Sequence, residues 1–191
     1  MPALFNEKRT AQAAAFFLHC AGGSLPLLKL MKLMYLAERE SLQLYGEPIT
    51  GDKLVSMPHG PVLSMTYELM NGAARGMRGG WNTWIADRSQ HHVALADASM
   101  IRSPEADLLE LSQSDLEILE AIWRRYGHMN QWDLRDYTHS GGCPEWQDPH
   151  GSSHPIPMQH LLAALGYSEQ DARAVMEHLH EREQLAQAFA R

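Results

Sequence analysis

Leu27-Leu28-Lys29-Leu30-Met31-Lys32-Leu33-Met34-Tyr35-Leu36-Ala37, running on through Glu38-Arg39-Glu40 to Leu44, is the stretch on which the fold turns. It is apolar on nearly every side of a helical projection except at Lys29, Lys32 and the Glu38-Arg39-Glu40 cluster, which predicts a helix in the centre of a domain. Ser24 offers a cap ahead of it, and Pro26 suits its first turn. The lysines interrupt the longest apolar stretch, residues 25–36, so it falls short of the roughly 18 uncharged residues that a membrane span needs, and no membrane association is expected. A charged pair on so apolar a helix must reach the surface along its methylene stems or meet carboxylates. Snorkelling is the expectation; in a groove instead, the pair would form an electropositive site for an acidic partner or for an internal carboxylate such as Glu68.

Toward the N-terminus, Ala11, Ala14, Ala15, Phe17, Leu18 and Ala21 recur at helical spacing over residues 6–21, and Gly22-Gly23 stops the pattern. Toward the C-terminus, Tyr45-Gly46-Glu47-Pro48 ends the central helix. Met57-Pro58-His59-Gly60-Pro61 is a second break whose last proline suits the opening of a helix over residues 62–71, with a loop or short strand between the two breaks. After the glycine-rich residues 72–80, Trp81, Thr83 and Ile85 alternate with smaller or polar residues, and His91, Val93 and Leu95 do likewise. With residues 87–90 as the turn, they predict a two-stranded hairpin.

Ser112 with Asp115 resembles a capping box, after which Leu116, Leu119, Ile122, Trp123 and Tyr126 make one apolar stripe ending at Gly127. The next helix starts at Asn130 and reaches Thr138. A loop rich in Gly, Pro, His and Ser over residues 140–157 leads to a short helix over residues 158–165, closed by Gly166. Ser168 and Asp171 cap a terminal helix carrying Ala172, Val175, Met176, Leu179, Ala186 and Phe189. The expected architecture is mainly α (α+β): a compact helical domain with a central apolar helix and one small β-hairpin. Residues 1–167 form the domain, and residues 168–191 are a helical extension packed on it, read as a terminal helix or as a partner contact.

The chain has 191 residues, 45% hydrophobic and 20% charged, which excludes a wholly disordered or collagen-like chain and suits a globular protein. Two cysteines, Cys20 and Cys143, are too few for a disulfide scaffold and point to a reducing cytoplasm. Glu7, Lys8 and Arg9 precede the first apolar run, and no small-residue cleavage pattern follows it, so the start does not read as a secretory signal. Charge is unevenly divided. Residues 1–90 hold nine Lys/Arg against seven Asp/Glu, net +2, whereas residues 91–191 hold seven against sixteen, net −9. The acidic half repels phosphate backbones and would steer a basic partner.

Phosphate loop, dinucleotide fingerprint, serine elbow and His-Glu-x-x-His are all missing from the sequence; His180-Glu181 continues as Arg182-Glu183-Gln184. The expectation is therefore a protein that is not an enzyme and carries no cofactor. A zinc ion would have to use His139, Cys143, His150 and His154, and a zinc-dependent hydrolase would be built there, although their spacing matches no common finger. Glu145 and Asp148 oppose ionisation of a Cys143 nucleophile paired with His139. Residues 116–138 offer another alternative, a DNA-binding helix pair presenting Gln131 and Arg135. Asp133, Asp136, Glu117 and Glu120 meet phosphates unfavourably, so packed helices without nucleic acid are expected.

The order of the pieces supplies more than any one of them. Lys29 to Ala37 as quoted, then Tyr45-Gly46-Glu47-Pro48-Ile49, then Gly60-Pro61-Val62 with Tyr67, resembles the Panacea domain, found in phage- and prophage-associated proteins that include SocA-like antitoxins. Leu111-Ser112, Tyr126-Gly127, Trp132-x-Leu134, Thr138-His139 and Pro144-x-Trp146 continue that order, so the resemblance covers residues 10–165. Met57 stands ahead of the Gly-Pro element where the family commonly has an aromatic residue, and residues 141–153 and the helix after Ser168 fall in or beyond its variable part. The resemblance implies a cytoplasmic antitoxin that binds and neutralises a cognate protein toxin; some relatives act as adaptors that deliver the toxin to a ClpXP-type protease. By the same resemblance, Lys29, Lys32, Tyr35, His59, Gly60, Pro61, Tyr67, Trp132, His139 and Trp146 are the candidate partner-binding residues. Gly60 and Pro61 would set a turn and start a helix, while Tyr35, Trp132 and Trp146 are large enough to anchor the core.

Overall fold

In a computed structural model, which describes residues 4–86 and 89–189, helix α1 (Glu7–Cys20) and helix α2 (Leu27–Tyr45) are joined through a short strand β1 (Ser24–Pro26). The Asn6 side chain caps α1 by accepting from Arg9 N at 3.1 Å. Along α2 every residue from 30 to 38 is buried, the charged Lys32 and Glu38 included. An all-round apolar helix is stable only where other elements cover all its faces. Here α1 covers one side, and Gly46, at φ +66°, ends the helix in the left-handed conformation that glycine adopts without strain.

Strands β2 (Leu54–Met57) and β3 (Gly60–Leu63) pair antiparallel with Val55 opposite Val62, and Pro58-His59 forms the turn. Helix α3 (Ser64–Met70) follows, then α4 (Trp81–Trp84) and strand β4 (His92–Ala94). Next come α5 (Pro104–Asp107), α6 (Gln113–Tyr126) and α7 (Gln131–Tyr137). Strand β5 (His154–Pro155) adds to the far edge of β2, giving the order β3-β2-β5, and helices α8 (Met158–Ala164) and α9 (Glu169–Phe189) complete the chain. Helices α6, α7 and α8 and strand β3 cover the remaining faces of α2. The architecture is thus mainly helical with small sheets, as the periodicity predicts.

Three local expectations need correction. The regular hairpin lies at residues 54–63; over 81–95 the expected pairing forms only in part, as isolated bridges of Ile85 with Leu95 and Ser89 with His92. Trp81 and Trp84 bury together on one helical turn against α1, and the Glu7 carboxylate accepts from Trp81 N at 2.9 Å and Met77 N at 2.8 Å, in place of a local cap. Strand β4 pairs instead with β1, Val93 opposite Leu25. Two residues of the expected turn, 87 and 88, lie outside the described residues. Pro61 does not open a helix: it sits in β3, an edge strand, where a missing N–H costs no ladder bond. Helix α3 starts three residues later and is capped remotely by Asp52, which accepts from Met65 N at 2.9 Å and Thr66 N at 2.8 Å. Finally, Ser24 and Pro26 belong to β1, with Pro26 at the N-cap position of α2 making no side-chain cap bond.

The capping box at Ser112 and Asp115 forms, and Asp115 also receives Arg9 Nη2 at 2.5 Å, tying α6 to α1. Helix α9 begins behind Ser168, whose Oγ accepts from Asp171 N at 3.1 Å. It rests on α8 and on the end of α2, where Val175 approaches Gly46, Tyr167 Oη donates to Leu42 O at 2.8 Å, and Arg182 pairs with Glu47.

Candidate functional site

Lys32 does not snorkel. It is wholly buried, and its Nζ donates to Pro61 O at 2.7 Å rather than meeting Glu68 or any other carboxylate among the described residues. An ammonium without a counter-ion in such surroundings is expensive, and burial pushes its pKa down to about 7. The site around it is built by Gly60, at φ +95°. A Cβ there would lie 2.7 Å from Lys32 Nζ, 2.8 Å from Thr138 Oγ1 and 3.1 Å from His139 Nε2. Only a residue without a side chain lets these polar atoms converge.

The ring of His139 stacks on Trp146 with centroids 4.2 Å apart and planes within 4°. Burial, and then the neighbouring Lys32, hold the imidazole below its ordinary pKa. Its Nε2 is buried with no hydrogen-bond partner among the described residues. Trp146 in turn donates Nε1–H to Met57 O at 3.0 Å, which fastens the segment after α7 to the β2–β3 turn.

A second buried group extends this cluster. Tyr35 Oη donates to Glu145 Oε1 at 2.8 Å and Arg39 Nε to the same oxygen at 3.0 Å, one helical turn apart on α2. Glu145, the unspecified position of Pro144-x-Trp146, went unassigned in the sequence reading. A carboxylate directly between Pro144 and the motif residue Trp146 was the available signal. Glu38 and Asp52 were likewise not assigned. Glu38 is fully buried and receives Ile49 N, Thr50 N and Oγ1, and Gly51 N at 2.8–3.0 Å, binding the loop after α2 to its own helix. Burial pushes its pKa up to about 7 against the pull of those bonds.

Beside the cluster lies an open pocket of about 660 Å³ between α2, the β2–β3 turn and the start of α7. Leu27, Leu28, Met31, Met57 and Val62 form its apolar walls, and Lys32, His59, Tyr67 and Trp132 also line it. Trp132 is not a core anchor. It is 50% exposed, with the Arg135 guanidinium 5.0 Å from its ring centroid. Of the predicted site residues, Lys32, Gly60, Pro61, His139 and Trp146 therefore gather in the buried cluster with Tyr35 behind them, while His59, Tyr67 and Trp132 face the pocket. Lys29 stands apart, donating to Gly127 O at 2.6 Å with its Nζ 5.5 Å from the Trp123 ring.

The loop residues proposed for zinc are not brought together. Cys143 is buried, His139 is stacked on Trp146, His150 is exposed on the loop beyond, and His154 is exposed on β5. No group of three or more His, Cys, Asp or Glu side chains suited to a metal ion forms among the described residues. Burial and then Glu145 push the Cys143 thiol up to about 12, the opposite of an activated nucleophile. No described helix is long and apolar enough to cross a membrane.

The residues that build this cluster are those that stand in the Panacea order, and the family model described as antitoxin SocA-like, Panacea domain, matches residues 30–147, more than half of the chain. The chain belongs to the Panacea-domain family of SocA-like antitoxins. No curated protein and no solved structure matches it. The matched Panacea region opens near the start of α2 and closes just past Trp146, so it contains Lys32, the Gly60 turn, Glu145 and most of the lining of the Trp132 pocket, whereas α1, α8 and α9 lie outside it.

Proposed function

We propose that this Panacea-domain protein is a cytoplasmic antitoxin that binds and neutralises a cognate protein toxin, as in prophage-borne toxin–antitoxin systems. Family membership over residues 30–147 carries the reading. The arrangement of its motif residues agrees with it: Lys32, Tyr35, Gly60 and His139 are spent on holding buried elements together, a role suited to a binding scaffold. In this reading Trp132, His59 and Tyr67 are the motif residues that a partner can touch, and the buried ones act by shaping the surface above them. Residues 1–167 form the antitoxin domain and α9 an extension of it. Handing the toxin to a ClpXP-type protease is the finer form of the same function.

Co-expression with each neighbouring open reading frame tests the proposal. A neighbour that arrests growth alone, and is both rescued and co-purified by this chain, is the expected result; no toxic or bound neighbour sinks it. A shortened toxin half-life that depends on both this chain and the protease would establish the adaptor role, while an unchanged half-life limits the protein to neutralisation by binding. A mobility shift on its own promoter that weakens steeply with salt would favour the DNA-binding helix pair instead.

A further inference from the structure

The pocket lined by Trp132 differs in charge character from the chain as a whole. The chain carries a net charge of −7, yet the described residues lining this pocket include no Asp or Glu, and Lys32, His59 and His91 are among them. Leu27, Leu28, Met31, Met57 and Val62 give it an apolar side, and Asn71 and Gln131 add neutral polar groups. Lys32 has Pro61 O as its acceptor and no carboxylate partner among the described residues. Lys32 offers no accessible surface, so the charge it carries below about pH 7 acts through the pocket wall; in low-dielectric surroundings such a charge is felt over several ångströms. At the mouth stands the half-exposed Trp132, a residue type that dominates the energetics of protein interfaces. A volume of about 660 Å³ lies in the range of small-ligand sites, enough for one or two side chains.

These observations ask for an occupant that brings apolar mass and a negative charge together. An apolar residue inside a chain brings no charge, and an Asp or Glu side chain brings little apolar mass. A chain end with an apolar last residue brings both. We propose that the pocket receives the apolar C-terminal residue of a partner polypeptide, with the side chain among Leu27, Met31, Met57 and Val62 and the free carboxylate toward Lys32. This deepens the antitoxin reading by naming what the toxin presents, and rests on that reading for the identity of the partner.

Isothermal titration at pH 6, where Lys32 keeps its proton, of the full chain with N-acetyl-Ala-Ala-Leu as the free acid, as the C-terminal amide, and with hexanoate provides the test. The acid is expected to bind at least about tenfold more tightly than the amide, because only the acid carries the charge complementary to Lys32. In Lys32→Met that preference disappears while weak apolar binding remains. Met57→Asp, at a half-buried wall position, places a carboxylate in the pocket and removes acid binding without touching Lys32, so it serves if Lys32→Met fails to fold. Equal binding of acid and amide, binding of neither, or hexanoate binding more tightly than the peptide would overturn the proposal. A toxin that is neutralised and binds equally well after loss of its last residue overturns it while leaving the antitoxin reading intact. Peptide binding with no neighbour neutralised does the reverse.

Discussion

Helices α2 and α9 have nearly equal lengths, 19 and 21 residues, and opposite relations to solvent. On α2 every residue from 30 to 38 is buried, including a lysine, a tyrosine and a glutamate that each find a partner inside. On α9 only Ala172 and Leu179 are buried among the described residues, and Phe189 is 88% exposed. The difference teaches where this molecule concentrates specificity. Buried polar groups on α2 have to be matched one by one, because an unmatched one costs about 1–3 kcal/mol, whereas the charges of α9 are solvated and tolerate change. The matched Panacea region includes most of the first helix and none of the second.

The sharpest way to break the comparison is to empty one position on each helix. Leu33→Ala, at a site with no accessible surface, is expected to cost about 3–5 kcal/mol in urea unfolding, and Leu179→Ala, less completely enclosed, about 2 kcal/mol. Equal losses would mean that α9 is as integral as α2. Next in size, Gly60→Ala should cost about 2–3 kcal/mol, since the new Cβ adds left-handed strain and presses on Lys32 and Thr138. A thermal midpoint unchanged within error would show that the converging polar atoms can separate freely.

A pH series sharpens the contrast further. Because the Lys32 pKa falls from 10.5 to about 7 on folding, the unfolded chain holds a proton that the folded chain lacks between those values, so stability rises with pH there. Between about pH 7 and 8.5 the gain should be about 1–2 kcal/mol, and it should vanish in Lys32→Met. Glu38, raised from 4.5 to about 7, acts with the opposite sign and in a lower window, stability falling as pH rises from 4.5 to 7. A flat profile above pH 7 would show that Lys32 stays charged in the fold. The smallest effect belongs to α9: Glu47→Ala, which removes the partner of His178 and Arg182, should change stability by less than about 1 kcal/mol. A larger loss would place α9 with the core.

Much of this was legible because it is local. The periodicity of α1, α2 and α6, the capping box at Ser112, the cap at Ser168, and the break at Gly46 depend on residues within a turn or two of one another. The segments that misled are those whose partners are distant in sequence. Trp81, Thr83 and Ile85 alternate like a strand, but the Glu7 carboxylate, seventy or more positions away, accepts from Met77 N and Trp81 N and makes a helical turn the better solution. Pro61 looks like a helix opener until β2 is seen beside it. The candidate site divides the same way: the Gly60–Pro61 element stood out for its backbone chemistry, whereas Glu145 stayed hidden because its partners Tyr35 and Arg39 lie on α2.

What the sequence by itself determined is a mainly helical domain centred on the stretch from Leu27, and, through the order of its short motifs, membership in the Panacea family. What only the tertiary structure decided is the fate of the polar residues within those motifs. Lys32 is buried and Trp132 exposed, each the reverse of its expectation, because burial depends on what distant elements place against a side chain and not on its own hydrophobicity. The convergence of Lys32, Thr138 and His139 over Gly60 arises for the same reason: four residues spread over more than a hundred positions are neighbours only once α2, β3 and the segment after α7 have packed.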